Sequence, residues 1–326
     1  MRGGAMRGGA MRGGAMRSTP IGIAAALFAA FAWSANFLVP FVLGRYSIFD
    51  LALIRFTVAG LLCTLFVALR GRDAAAPSGR DWLLTLWLGI IGYLGYFLAL
   101  AGSALYAGPL IAPAIIGLVP VVLAAAGNLT ERTLPWRVLA LPLALVTLGL
   151  VLVAPPRNSL DAPPSLPVGV SCALAAVALW TWFGLLNQRA LARRPGMDAG
   201  LWTALIMIGA AAGALLLAPL GFALRLMRMA ELGLTWQPAA ALYAWGCGLA
   251  LLASIGGAWA WTVAAQRLPV ALAAQLVVME SVFGALLGLL VHRRWPTLAE
   301  IGGMLTLVLG VVLAIRAFEL RRPRIR

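Results

Sequence analysis

Polar and apolar positions in this chain do not alternate. The apolar residues gather into runs of about 20, the length that crosses a hydrocarbon core roughly 30 Å thick at ~1.5 Å of rise per residue. Ten such runs are predicted as membrane helices, near residues 20–42, 49–69, 82–105, 108–128, 135–154, 167–187, 199–219, 240–265, 269–291 and 297–316. The connections are short except at 70–81, 155–166 and 220–239, and the last contains RLMRMAELG (225–233), which reads as a short interfacial helix. Residues 1–17 repeat Met-Arg-Gly-Gly-Ala three times before Met16-Arg17, a Gly-rich basic tail expected to be disordered. Met6, Met11 or Met16 would serve equally as a start, and no cleavable signal peptide is expected.

The two halves repeat one another. A shift of 161 pairs Val121 with Val282, Ala124 with Ala285, Gly127 with Gly288, Pro135 with Pro296 and Gly149 with Gly310. Nearer the start a shift of 147 pairs Gly22 with Gly169 and Trp33 with Trp180. Five crossings per half is an odd number, so the second copy runs inverted through the bilayer, a construction that places ligand sites at the repeat interface near the midplane. The predicted fold is therefore an all-α integral membrane protein of ten transmembrane helices in two inverted five-helix repeats, 18–154 and 167–316. A linker at 155–166 joins them, and a basic tail at 317–326 follows.

Composition agrees with a bilayer and narrows the chemistry. The chain is 63% hydrophobic and 11% charged, with a formal charge of +15. In a soluble protein that excess would suggest nucleic acid, but here the arginines punctuate the apolar runs, so membrane topology explains them and no nucleic-acid partner is expected. With the N-terminus inside, eighteen arginines fall in inside segments and six outside, with Arg55 intramembrane. That bias predicts both termini in the cytoplasm, for a protein expected in the plasma membrane, the inner membrane in a bacterium. All 25 basic residues are arginine, which excludes a phosphate-binding loop of the G-x-x-x-x-G-K-[ST] kind and Schiff-base chemistry. One histidine and three cysteines without metal-ligand spacing point to no metal, no cofactor and no disulfide framework.

Several polar and aromatic residues stand inside these runs. Glu280 lies near the middle of the ninth, where an ionised acid costs several kcal/mol unless water or a partner offsets it. It either meets a substrate ammonium, takes up a proton that drives exchange, or is a structural acid bonded to a neighbouring helix; the functional readings are favoured. Arg55 either grips a substrate carboxylate through its paired donors or anchors and snorkels, with Asp50 one turn earlier as a candidate partner. The anchoring reading is favoured. Gln275 stands about 140° from Glu280 on a continuous helix, so the two need not face one space. Gln275 and Asn36 line a polar path or serve interhelical hydrogen bonds equally well. Trp33, Tyr93, Tyr96, Trp180, Trp182, Trp259 and Trp261 fall at membrane depth; Trp33 and Trp180, which match across the copies, and Tyr93 and Tyr96, which share a face, are the candidates for an aromatic wall. Gly284 and Gly288 form a G-x-x-x-G pair for close packing, within the chain or in a homodimer, and Pro109, Pro113 and Pro120 are expected to kink the fourth run.

LVPVVLAAAGNLTER (118–132) and MESVFGALLGLLV (279–291), with the arginine of LALIRFTVAG (51–60) and the inverted copies, resemble the EamA-type family of the drug/metabolite transporter superfamily. Thr130-Glu131-Arg132 matches the family's Gly-Glu-Arg-like turn; in the second half His292-Arg293-Arg294 replaces it, and Ser281 stands where a proline is usual. The resemblance spans 18–316. It implies a secondary transporter, not an enzyme, that exports small metabolites such as amino acids by alternating access. Segments three, four, eight and nine would wall its cavity, and Glu280, Trp33, Trp180, Tyr93, Tyr96, Gln275, Asn36 and Arg55 would be its substrate-binding candidates. The alternatives are a polytopic enzyme acting on a lipid-like substrate and a non-transporting scaffold or receptor. One histidine and isolated acids offer the enzyme reading little, and the scaffold reading predicts that a neutral Glu280 is tolerated.

Overall fold

A computed structural model describes residues 7–70, 77–131, 134–153 and 165–320, and all regular structure among them is helical. Arg132, most of the 155–166 linker and the ends of both tails lie outside the described residues. In chain order the helices are α1 Arg7–Ser34, α2 Val39–Val42, α3 Ile48–Leu69, α4 Gly79–Leu88, α5 Tyr96–Ile116, α6 Val119–Glu131, α7 Trp136–Val153 and α8 Leu166–Ala192. The second half holds α9 Ala199–Ala223, α10 Met229–Leu232, α11 Trp236–Leu249, α12 Ala258–Ala265, α13 Val270–Val277, α14 Met279–His292 and α15 Leu298–Leu320. A 3₁₀ turn, Ala35–Leu38, joins α1 to α2, and π-helical turns at Gly89–Gly95 and Ala250–Gly257 join α4 to α5 and α11 to α12.

Among the described residues, eight stretches are long and apolar enough to cross a bilayer: Thr19–Leu38, Ile48–Leu69, Gly79–Ala107, Leu166–Ala192, Ala199–Ala223, Trp236–Ala265, Val270–Val291 and Leu298–Leu320. Val119–Glu131 and Trp136–Leu152 are shorter apolar helices. The interruption expected between the third and fourth runs, at 106–107, does not appear as a gap. Helical backbone is continuous over Tyr96–Ile116, and the break comes at 117–118. No polar residue stands at 105–109 to end the helix, whereas Gln266 and Arg267 separate α12 from α13 in the second half. Pro120 sits in the first turn of α6, where its missing N–H has no partner to lose, so it starts a helix instead of kinking one. α1 runs from Arg7, and its membrane-length apolar stretch starts at Thr19.

Helix starts follow local chemistry. Ser47 and Asp50 form a reciprocal capping box on α3, as do Ser78 and Asp81 on α4, and the Asp198 carboxylate accepts from Leu201 N–H at the head of α9. Long-range contacts sort the helix ends into two groups. At one end Arg70 meets Asp198 (2.8 Å), Gln188 Nε2 donates to Leu268 O (2.7 Å) and Val270 N–H donates to Glu131 (3.2 Å). At the other, the Tyr46 hydroxyl donates to Gly233 O (2.7 Å), and the Asp50 carboxylate accepts from the N–H groups of Arg228 (3.1 Å) and Met229 (3.2 Å). Between these ends helices approach closely at glycine: a Cβ on Gly89 would stand 2.1 Å from Ile206 O and 2.6 Å from Ala210 N, both backbone atoms of α9.

Candidate functional site

Arg55, two turns into α3, is 3% exposed. Its Nε donates to Ser254 Oγ (2.6 Å) and Nη1 to Asn36 Oδ1 (2.7 Å), while the guanidinium carbon lies 5.3 Å from the ring centres of both Phe56 and Phe97. Nη2 has no hydrogen-bond partner among the described residues, and no carboxylate there comes within ion-pair distance of Arg55. Asp50, the suggested partner, is fully buried and committed to capping α3 and to the backbone of Arg228 and Met229. A carboxylate at the third position of a helix finds backbone donors beside it before it reaches a side chain a turn away.

The π-helical turn at Ala250–Gly257 explains how two partners arrive together. An extra residue per turn breaks the regular ladder and turns carbonyl groups outward. Ala253 O accepts from the Trp33 indole N–H (3.0 Å), and Ser254, the next residue, accepts from Arg55. The matching turn at Gly89–Gly95 carries Tyr93, with Tyr96 opening α5 just beyond it.

These residues meet in an aromatic cluster centred on Trp180 of α8, which is 6% exposed. Its ring centre lies 5.1 Å from Trp33, 4.9 Å from Tyr96, 5.9 Å from Tyr93, 5.1 Å from Phe183 and 6.2 Å from Trp261. Trp33 and Trp180, paired by the sequence shift, thus touch edge to face. Trp182 and Trp259 turn away, each 47% exposed on the outer surface.

Glu280 lies in the first turn of α14, directly after the break at Val278, and keeps part of its surface accessible. Ala253 and Ser254 tie Trp33 and Arg55 to one turn, and Glu280 is near enough to Arg55 and Tyr96 for their charges to interact. Gln275 is fully buried at the end of α13, and neither polar atom of its amide has a partner among the described residues. Val278, between α13 and α14, keeps right-handed helical dihedrals (φ −52°, ψ −28°), so Gln275 and Glu280 lie on two segments of one stretch, Val270–Val291. Of the G-x-x-x-G pair, a Cβ on Gly284 would meet the Phe37 ring of the same chain at 2.4 Å, while Gly288 has nothing within 4 Å.

Ser254, Phe97 and Phe183 were not candidates from sequence, since nothing separates them from other serines and phenylalanines of the runs. Trp261 had a signal in its membrane depth; it is 2% exposed, 5.9 Å from Trp33, and its indole N–H lacks a partner among the described residues. Chemically, the group combines a cation with a free N–H, an accessible acid and large apolar rings. Such a site accepts a small molecule bearing both charge and hydrocarbon.

Residues 20–154 match the model of the EamA-like transporter family. The chain belongs to this family, one of transporters rather than enzymes, and with its apolar helices it is a multi-pass membrane protein. Along almost its whole length it is similar to the inner membrane protein YtfF of Escherichia coli strain K12, with 30% identity over 317 residues, 91% of this chain and 95% of that one. The fold also matches a protein of known crystal structure at TM-score 0.71 and 20% identity, over 92% of this chain and 98% of the other.

Proposed function

We propose that the protein is a secondary transporter of ten crossings, arranged as two inverted five-helix repeats (18–154 and 167–316), that exports small amphipathic metabolites of the amino-acid class by alternating access. The observation that carries this reading is the gathering of Trp33, Trp180, Tyr93 and Tyr96 into one wall at membrane depth, with Arg55 held to the same turn as Trp33 and a partly accessible Glu280 near it. An unpaired cation and anion held apart in one apolar site suit a zwitterion whose side chain rests on the rings. The repeat reading is supported by features that recur at the sequence shift of 161: the π-helical turns begin at Gly89 and Ala250, and the helix breaks fall at Gly117 and Val278. Two broken helices facing each other are what such carriers use to expose backbone to a cavity. For orientation, the end that gathers Arg70, Arg189, Arg193, Arg194 and Arg267 is the inner one by the arginine bias, which puts both termini in the cytoplasm of a plasma-membrane protein. Asn36 positions Arg55 through its carbonyl, and the unpaired Gln275 amide bonds when the halves re-pack.

Purified protein in liposomes, loaded with labelled amino acids and sampled for efflux, tests both levels. Efflux above empty liposomes is expected from the wild type and at least a tenfold slower rate from Glu280→Gln. Wild type that moves none of a broad panel refutes the carrier reading. A Glu280→Gln variant that transports normally across the pH range refutes the carboxylate's role and leaves the carrier standing.

A further inference from the structure

Away from the aromatic cluster, where α4 begins and α8 ends, the surface forms a half-open hollow of about 670 Å³. Four arginines line it, Arg80, Arg189, Arg193 and Arg194, against a single carboxylate, Asp81. That acid is already spent. One oxygen accepts from Ser78 N–H (2.9 Å) and Ser78 Oγ (2.8 Å) in the cap of α4, and the other forms an ion pair with Arg194. Arg194 in turn lies over the Trp202 ring (5.6 Å) and is fixed in place. Arg80, Arg189 and Arg193 have no carboxylate within ion-pair distance among the described residues; Arg189 feels Glu131 only from farther off. Three guanidinium groups therefore share one concave space without an ion-pair partner among the described residues.

The position of the hollow narrows what fills it. Gly79 and Ala192 are terminal residues of two stretches that cross the bilayer, so the hollow sits at headgroup depth. Leu84 and Leu186 close its apolar side. A phosphate matches the forked donors of arginine. We infer that this hollow binds the phosphate of an anionic ligand, either the phosphodiester of a bilayer lipid or a soluble phosphate ester. Arg80, Arg189 and Arg193 supply the donors, and the Asp81–Arg194 pair forms a fixed wall. Basic pockets between helices at a membrane face bind lipid headgroups on this principle.

The test uses the full chain, purified and delipidated in neutral detergent, with native mass spectrometry to count bound ligand. Phosphatidylglycerol, phosphatidylcholine and glycerol 3-phosphate are titrated against wild type, an Arg189→Gln/Arg193→Gln variant, Arg80→Gln alone, and a charge-matched Arg45→Gln/Arg225→Gln control at the opposite end. Wild type should hold phosphatidylglycerol at least tenfold more tightly than phosphatidylcholine. The double variant should lose about that factor, Arg80→Gln part of it, and the control none. If glycerol 3-phosphate binds with the same dependence on Arg189 and Arg193 and displaces the lipid, the site is one for soluble phosphate esters; if only phosphatidylglycerol does, it is a lipid site. Equal losses in the control and the Arg189→Gln/Arg193→Gln variant, or no phosphate-bearing ligand that distinguishes that variant from wild type, overturn the inference.

Discussion

Replacing Ser254 by alanine removes one hydroxyl, the acceptor for Arg55 Nε at 2.6 Å. Both residues are shut away, Ser254 at 0% and Arg55 at 3% exposure, so water cannot enter to replace the lost bond without rearrangement. A net hydrogen bond to a charged group contributes ~1.5–3 kcal/mol, and side-chain bonds between membrane helices run lower, ~0.6 on average and ~1.7 at most. With Asn36 Oδ1 still holding Nη1 at 2.7 Å, a loss of about 1–2 kcal/mol is expected. The measurement is a double-mutant cycle with Arg55→Met, following unfolding in mixed micelles by far-UV circular dichroism. Ser254→Ala should cost that amount in the wild-type background and under ~0.3 kcal/mol when Arg55 is already methionine. In liposomes the same substitution should raise KM about tenfold, since ~1.4 kcal/mol of misplacement is one decade. An equal cost in both backgrounds would falsify the assignment of Ser254 as the residue that positions Arg55.

Two further substitutions probe the scaffold. Trp33→Phe keeps a ring against Trp180 but abandons Ala253 O inside the π-helical turn; about 1–2 kcal/mol of stability should go, and an unchanged unfolding midpoint would mean another donor serves that carbonyl. Gly89→Ala drives a methyl to 2.1 Å from a carbonyl oxygen of α9, an overpacking cost of ~3 kcal/mol or more that should abolish a monodisperse peak in size-exclusion chromatography. Gly288→Ala, which meets nothing within 4 Å, should elute like wild type, and similar profiles for the two alanines would contradict the packing described.

Much of this was legible in the residue order, for physical reasons that can be named. Lipid tolerates no unsatisfied backbone, so each run long enough to cross had to be helix. Trp33 and Trp180 were marked by their matching places in two copies, and Tyr93 and Tyr96 by a spacing of three; all four do gather, around Trp180. What stayed hidden was set by long-range packing. Nothing in Ser254 announces that a widened turn will aim it at an arginine 199 residues earlier. The proximity of Asp50 to Arg55 in sequence suggested an ion pair, yet backbone donors at a helix start compete better than a side chain one turn on. The third and fourth runs were divided at 106–107 by hydropathy, which carries no information about where a continuous helical backbone bends or stops.

Asp50 has a mechanical corollary. Its two oxygens hold the start of α3 and, at the same time, the backbone of Arg228 and Met229, 178 and 179 residues further along the chain. The Tyr46 hydroxyl rivets Gly233 to the same spot. The surface hairpin between α9 and α11 is therefore welded to α3 and cannot swing as a free flap. Any movement of this hairpin that keeps these bonds has to carry the start of α3 with it as a single plate.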